Sequence, residues 1–260
     1  MKLFLFLFLK QFIFCSEVSV HQLKVHKDMI LIPAGTYHIG SNIGKYDQNP
    51  RVKIQLSSYL IDRYEVSIKK YKQFLQDTNY ISEGPWQRSL HQNNDNLPVR
   101  FITYTDAKNY AKWAKKDLPT EAQWEVACGT KKFTLKRKKL SIGPQEVNFA
   151  EVSDYGVYNL SGNVREWVND WYDRYYRLNQ LKKNDLFNPQ GPQDNTAPEL
   201  KFSEINAEAG NERSTLKVVK GGSWMSKYNY QVQASKRAAH NPKQWFNDVG
   251  FRCVINVEDN

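Results

Sequence analysis

The chain is short of the residues that build common catalytic centres: among its 260 residues are 3 cysteines and 5 histidines. The histidines, at positions 21, 26, 38, 91 and 240, show no ligand-like clustering. A zinc or non-haem iron centre needs several convergent imidazole or thiolate donors, so this scatter argues against a histidine-built metal site. No Gly-x-Ser-x-Gly elbow marks a serine hydrolase, no cysteine stands beside a candidate base, and there is no nucleotide-binding P-loop. The apolar run Leu3 to Leu9 stops at Lys10, too short to span a bilayer. Internal repeats and coiled-coil heptads are missing as well, which excludes solenoids and rods.

What is present is a globular composition. Hydrophobic residues make up 40% and aromatics 13%, with 7 Trp and 15 Tyr, so the chain is not intrinsically disordered. Its length suits one large domain or two small ones and is enough to bury a sizeable core. The net charge of +10 permits an anionic partner without choosing its class. Lys131–Lys139 holds 6 basic residues in 9, a solvated loop or a contact for an anionic surface. With no nucleic-acid-binding motif beside it, specific nucleic-acid recognition is not expected.

Residues 1–16, with Lys2 before a short apolar core, read as an export signal. Cys15 is either a lipid-anchored cysteine or close to a simple cleavage site at Cys15 or Ser16. The expected location is periplasmic, outer-envelope or extracellular. Farther on, Met29–Ser41 reads as a strand, a Pro-Ala-Gly turn and a second strand. Ser67 is placed to cap a helix carrying Ile68, Tyr71, Phe74 and Leu75. Residues 79–96, with Gly84-Pro85, read as loop. Thr105 is expected to cap a helix with Ala107, Tyr110, Ala111 and Ala114 on one face. Thr120 and Gln123 form a capping box, and Gly129 can end that helix. Residues 193–214 read as an insertion.

The densest chemistry lies in Val157–Trp171. Asn159 and Glu166 offer side-chain oxygens around Gly162, which allows a sharp bend. Calcium takes six to eight oxygen ligands, many of them backbone carbonyls, so this is a candidate calcium loop. A polar turn whose Asn and Glu bond nearby backbone is the plainer alternative.

Asn159-Leu160-Ser161-Gly162-Asn163-Val164-Arg165-Glu166-Trp167 resembles the GNxWEW signature of the formylglycine-generating enzyme (sulfatase-modifying factor) family, with Arg165 at the family's Trp. Other blocks follow the family order: Ile32–Ser41 is similar to IPGGTFxMGS, Glu65–Phe74 region to EVTxxxYxxF, Leu118–Glu125 (LPTEAQWE) to LPTEAEWE, Asn188–Pro192 to NPxGP, Lys220–Trp224 to RGGSW, and Gly250–Cys253 to GFRC. The resemblance runs from about residue 29 to 254 and implies a single α+β domain at 28–256, related to C-type lectins and rich in irregular structure.

It also implies site residues. Asn159 and Glu166 would give calcium their side-chain oxygens, Gly162 and Val164 their carbonyls, and Arg165 would point away. The family's other calcium site begins near an Asn-Phe pair, matched by Asn148-Phe149, but the segment after it is shortened here. Ser223, Ser226 and Arg237 would line the ligand pocket. Cys128 and Cys253 would form a disulfide, two separately buried thiols being the alternative. The family's enzymes bind copper(I) through two cysteines that follow the GGS serine. Ser226 stands at the first of these positions and Gln231 or Asn229 at the second, all hard donors, so no copper is expected. The leading expectation is an exported binding or assembly module, with an unknown protein or peptide partner and no formylglycine-generating activity. A family oxidoreductase on an unknown substrate and a structural envelope protein contacting anionic lipid or polysaccharide are the rivals.

Overall fold

The computed structural model describes residues 27–90, 94–130, 143–149, 152–184, 186–192 and 215–257. The export signal at 1–16 with Cys15, the basic run Lys131–Lys139 and the insertion at 193–214 lie outside the described residues. The strands are β1 (Met29–Ile32), β2 (Gly35–Ile39), β3 (Val52–Leu56), β4 (Tyr59–Asp62), β5 (Arg165–Trp171), β6 (Lys217–Lys220), β7 (Arg237–His240), β8 (Val249–Gly250) and β9 (Val254–Asn256). The helices are α1 (Ile68–Thr78), α2 (Tyr104–Trp113), α3 (Glu121–Ala127) and α4 (Tyr176–Lys183). This is the mixed α+β architecture expected.

The strand, turn and strand at 29–41 form as read, but they part into different sheets. β1 pairs antiparallel with β4, Met29 opposite Asp62, and β4 pairs in turn with β9. β2 pairs only with β3 in a two-stranded sheet, Gly35 opposite Leu56. The largest sheet runs β7-β6-β5-β8, with β5 and β8 parallel.

That sheet separates two cores. Successive side chains of a strand point to opposite faces. On β5, Trp167 packs with Tyr71, Phe74, Tyr110 and Phe251, while Val168 packs with Tyr59, Trp124 and Leu160. Val219 and Val218 of β6 divide in the same way. The cysteines fall on either side of this division: Cys128 belongs to the Trp124 core and Cys253 to the Tyr110 core. Both are buried free thiols, which corrects the expected Cys128–Cys253 disulfide. Cys128 Sγ instead meets Trp124 O one helical turn back, at 3.6 Å.

Local signals explain the helix starts. Ser67 Oγ accepts from Lys70 N, as expected of a cap. Thr120 and Gln123 complete their capping box on α3, and Gly129 follows the helix in the left-handed region at φ 72°. The cap of α2 is Thr103, not Thr105, because Asp106 stands three residues on and its carboxylate accepts Thr103 N to close a second capping box. Among the described residues of 79–96 there is one short 3-10 turn, Trp86–Ser89. Among the described residues no helix is long and apolar enough to cross a membrane.

Candidate functional site

The Asn159–Glu166 loop enters β5 from the Trp124 core. The chain bends at Gly162 as expected, while the left-handed residues of the loop are Asn159 and Asn163, at φ 64° and 58°. Asparagine tolerates this region through its short polar side chain. Glu166 is wholly buried. Its Oε2 accepts from Trp124 Nε1 and Arg252 Nε, both at 2.8 Å, and its Oε1 accepts from Arg252 Nη2 at 2.8 Å. Glu65, also buried, accepts from Asn159 Nδ2 at 2.7 Å and Asn163 Nδ2 at 3.0 Å. Burial pushes the Glu65 carboxyl up to about 7; Arg252 opposes this and Glu166 adds to it.

Of the two buried carboxylates, Glu166 bonds the Arg252 guanidinium directly and Glu65 feels only its charge. Asn159 Oδ1 is buried with no hydrogen-bond partner. An orphaned amide oxygen, a Glu166 Oε1 holding one bond, and surplus negative charge fit a hard cation. Among the described residues there is no group of three or more His, Cys, Asp or Glu that could hold a metal, so calcium here would lean on amide and carbonyl oxygens.

Arg165 points to the other side of β5, as its place next to Glu166 on a strand requires. Its Nε and Nη2 grip Asp248 Oδ2 and Oδ1 at 2.9 and 2.7 Å, and its Nη1 meets His240 Nε2 at 2.7 Å. Ser223 Oγ donates to Asp248 Oδ2 at 2.8 Å. Gly222 brings this turn close: a Cβ there would lie 2.6 Å from Val232 Cγ1 and 2.7 Å from Ser161 O. Ser223 and Ser226 share a tight turn, in which Ser223 N donates to Ser226 Oγ at 2.9 Å. His240 stacks near Phe246 with ring centroids 4.1 Å apart. Burial, then the Arg165 charge, pushes its imidazole down to about 4, so it is neutral at pH 7.

Chemically this chain is not a serine–histidine–aspartate triad. Ser223 and His240 sit at opposite ends of the Arg165–Asp248 pair, the serine bonded to Asp248 and the imidazole to Arg165, so the two do not form a nucleophile–base pair. Asp248 is held by the Arg165 guanidinium through both of its oxygens. The Arg165 fork is not exhausted by these bonds, and its side chain is 21% exposed.

Arg237 does not join the serines. It is buried, with Nε on Glu121 and Nη1 on Asp47 O and Asp173 O at 3.0 and 2.9 Å. It belongs to a closed ionic network in which Arg177, Lys220 and Arg237 surround Glu121 and Glu125. Burial opposes the Glu121 charge, yet Arg237, Lys220 and Arg177 together hold it down to about 2. Arg237 is thus tied to Glu121 and away from the serines, with its Nη2 buried and without a hydrogen-bond partner, and the network explains why LPTEAQWE carries two glutamates on one face of α3.

Sequence reading missed Asp248 and His240. Asp248 lies 83 residues from Arg165 and 25 from Ser223, so no spacing signal joins them. A separate small polar cleft of about 100 Å³ is lined by Thr120, Asn169, Asp170, Trp171, Gln190 and Lys217, among others. Its lysine is already engaged: Lys217 Nζ donates to Asn169 O at 2.8 Å and lies 3.8 Å from the Trp171 ring centroid.

Known proteins are similar to this chain in sequence and in fold. The family model of the sulfatase-modifying factor enzyme 1-like domain matches residues 16–149 and 129–257. A formylglycine-generating enzyme of Thermomonospora curvata is 25% identical over 305 residues, covering 89% of this chain and 94% of that protein. PvdO from Pseudomonas aeruginosa is similar in structure with a TM-score of 0.69 at 18% identity, covering 88% of this chain and 94% of its own. The Treponema denticola variable protein 1 is similar with a TM-score of 0.64 at 17% identity, covering 88% and 95% respectively. At these identities the structural likenesses show the fold.

Proposed function

The chain belongs to the sulfatase-modifying factor enzyme 1-like family, and from that premise we propose that it acts as a binding or assembly module without formylglycine-generating activity. One observation carries this reading. The side chains at the positions matching the family's copper cysteines are hard oxygen donors spent on their own loop. Ser226 Oγ accepts from Ser223 N, and Gln231 Oε1 accepts from Lys227 N at 2.7 Å and Tyr228 N at 2.9 Å. Copper(I) prefers soft sulfur, and no cysteine lies between Cys128 and Cys253. The Ser223–Asp248–Arg165–His240 chain supplies fixed donors and acceptors suited to holding a polar group. Incubation of the full chain with a Cys-x-Pro-x-Arg peptide, copper and oxygen should leave the peptide mass unchanged. Appearance of the aldehyde mass would overturn the reading in favour of an oxidoreductase.

Calcium is part of the proposal as a structural ion. Asn159 Oδ1 and Glu166 Oε1, with the Gly162 and Val164 carbonyls, would hold it. When bound it would supply positive charge to the Glu65–Glu166 pair; Arg252 and Trp124 orient Glu166 meanwhile. Export is proposed as well, on the strength of Lys2 and the apolar run that follows, with Cys15 as the lipid-anchored or near-cleavage residue.

A further inference from the structure

Phe101 is the bulkiest residue held in the left-handed region, at φ 56°. That conformation is strained for a non-glycine residue, and such strain persists only where the surroundings enforce it. Here Phe101 N donates to Phe246 O at 3.0 Å, which ties the strained residue to the loop that carries Asp248. The Phe101 ring is thereby held 5.8 Å from the Trp245 ring. The Arg88 guanidinium lies over both, 5.2 Å from the Trp245 centroid and 5.8 Å from that of Phe101. Arg100 lies 5.3 Å from the Phe101 ring and donates to Asn247 O at 2.8 Å.

Arg88 is exposed, and among the described residues it has ring contacts and no salt-bridge partner. Trp245 is 39% exposed. This face is continuous with the Arg165 network, since Phe246 stacks on His240 and Asp248 grips Arg165. Arg88, Arg165 and the buried Arg100 make it cationic, and Asp248, bonded to Arg165, is the carboxylate that also faces Arg100. A planar guanidinium pre-set on aromatic rings is suited to a bidentate carboxylate. An exposed Trp with Arg in a small mixed patch is the composition of a protein–protein hot spot, whereas nucleic acid or lipid binding leans on a wider field of charge.

We propose that the face formed by Arg88, Phe101 and Trp245, beside Arg165, docks an acidic segment of a protein partner, with a carboxylate on Arg88 and an apolar side chain against Trp245. The proposal rests on the binding-module reading and deepens it by naming the partner's chemistry.

The test is selection of a random peptide library against the full chain, with counter-selection against the Arg88→Ala/Trp245→Ala double variant. Arg88 is exposed and Trp245 is 39% exposed, and a cooperative thermal transition with the wild-type circular dichroism spectrum shows that the variant is folded. The enriched peptides should be acidic with interspersed apolar residues. In fluorescence anisotropy, a synthetic copy should bind wild type about tenfold or more tightly than either single variant, and lose as much when its Asp and Glu become Asn and Gln. Arg165→Lys, which keeps the charge but loses the fork, should weaken it less. Neutral or basic enriched peptides, or an amide copy that binds equally well, would overturn the acidic partner while leaving a binding module standing. Failure to enrich any peptide that the double variant discriminates would overturn the face itself. Preference for phosphatidylglycerol vesicles or duplex DNA, insensitive to Arg88→Ala, would also overturn it. Conversion of the Cys-x-Pro-x-Arg peptide is the separate result that would remove the underlying reading.

Discussion

Two ionic networks meet at β6 and the turn that follows it, and they differ in what they leave over. In the first, Glu121 and Glu125 are surrounded by Arg177, Lys220 and Arg237, with every side chain between 0% and 6% exposed. In the second, Arg165 and Asp248 are 21% and 10% exposed, and they link Ser223 to His240. The first network turns most of its charge on its own members and on backbone carbonyls, with Arg177 Nε and Nη1 and Arg237 Nη2 buried and without a hydrogen-bond partner, so it holds elements together. The second is rigid but reaches solvent, with exposed Met225 and Trp245 at its edges, so it can meet something else. The charged residues most recognisable in the sequence, the glutamates of LPTEAQWE, are structural. Those suited to recognition are the least conspicuous.

The contrast is broken most easily by mutation. Glu121→Gln leaves buried cations short of a partner and should cost about 3–5 kcal/mol in chemical denaturation. Arg165→Gln acts on a partly solvated pair and should cost about 1–2 kcal/mol. Equal costs would mean that the two networks do the same job. Removal of calcium comes next: a chelator should lower the melting temperature by several degrees, and Asn159→Ala should abolish the difference. No shift with chelator in the wild type would remove calcium from that loop.

Acid separates the networks by window. Glu121 is depressed from 4.5 to about 2, so its contribution is present above about 4.5 and is lost as pH falls toward 2. His240 is depressed from 6.5 to about 4; the unfolded chain takes up that proton first, so stability falls between about 6.5 and 4. The open network should therefore loosen at milder acidity than the closed one. Imidazole NMR should find His240 neutral at pH 6, and Arg165→Gln should raise its midpoint while burial keeps it below 6.5. A wild-type midpoint near 6.5 would contradict the buried, Arg165-bonded geometry. The smallest effect concerns the thiols: burial pushes both Cys128 and Cys253 up, so neither should react with a thiol reagent until the chain unfolds, when both should.

What the sequence made legible was local. Ser67, Thr120 and Gln123 act within one helical turn, and each was found at its expected task. Thr105 was misassigned because two threonines compete near the same start, and the deciding acceptor, Asp106, is itself a side chain. The family blocks, taken in order, were enough for the α+β fold. The site was less legible because its pairings are long-range: Arg165 reaches His240 across 75 residues, and Arg237 turns inward to Glu121 across 116. The cysteine pairing failed for the same reason, since which core each cysteine enters depends on the central sheet and not on spacing.

The most direct measurement on the central claim is a copper(I) competition titration against a chromophoric chelator under anaerobic conditions. With Ser226 and Gln231 spent on their own loop, and with Cys128 and Cys253 buried in different cores, the folded protein should leave the chelator's spectrum unchanged at equimolar concentration. Stoichiometric withdrawal of copper(I) by the folded protein would contradict the binding-module reading and point to a thiolate site that the fold assigns to neither cysteine.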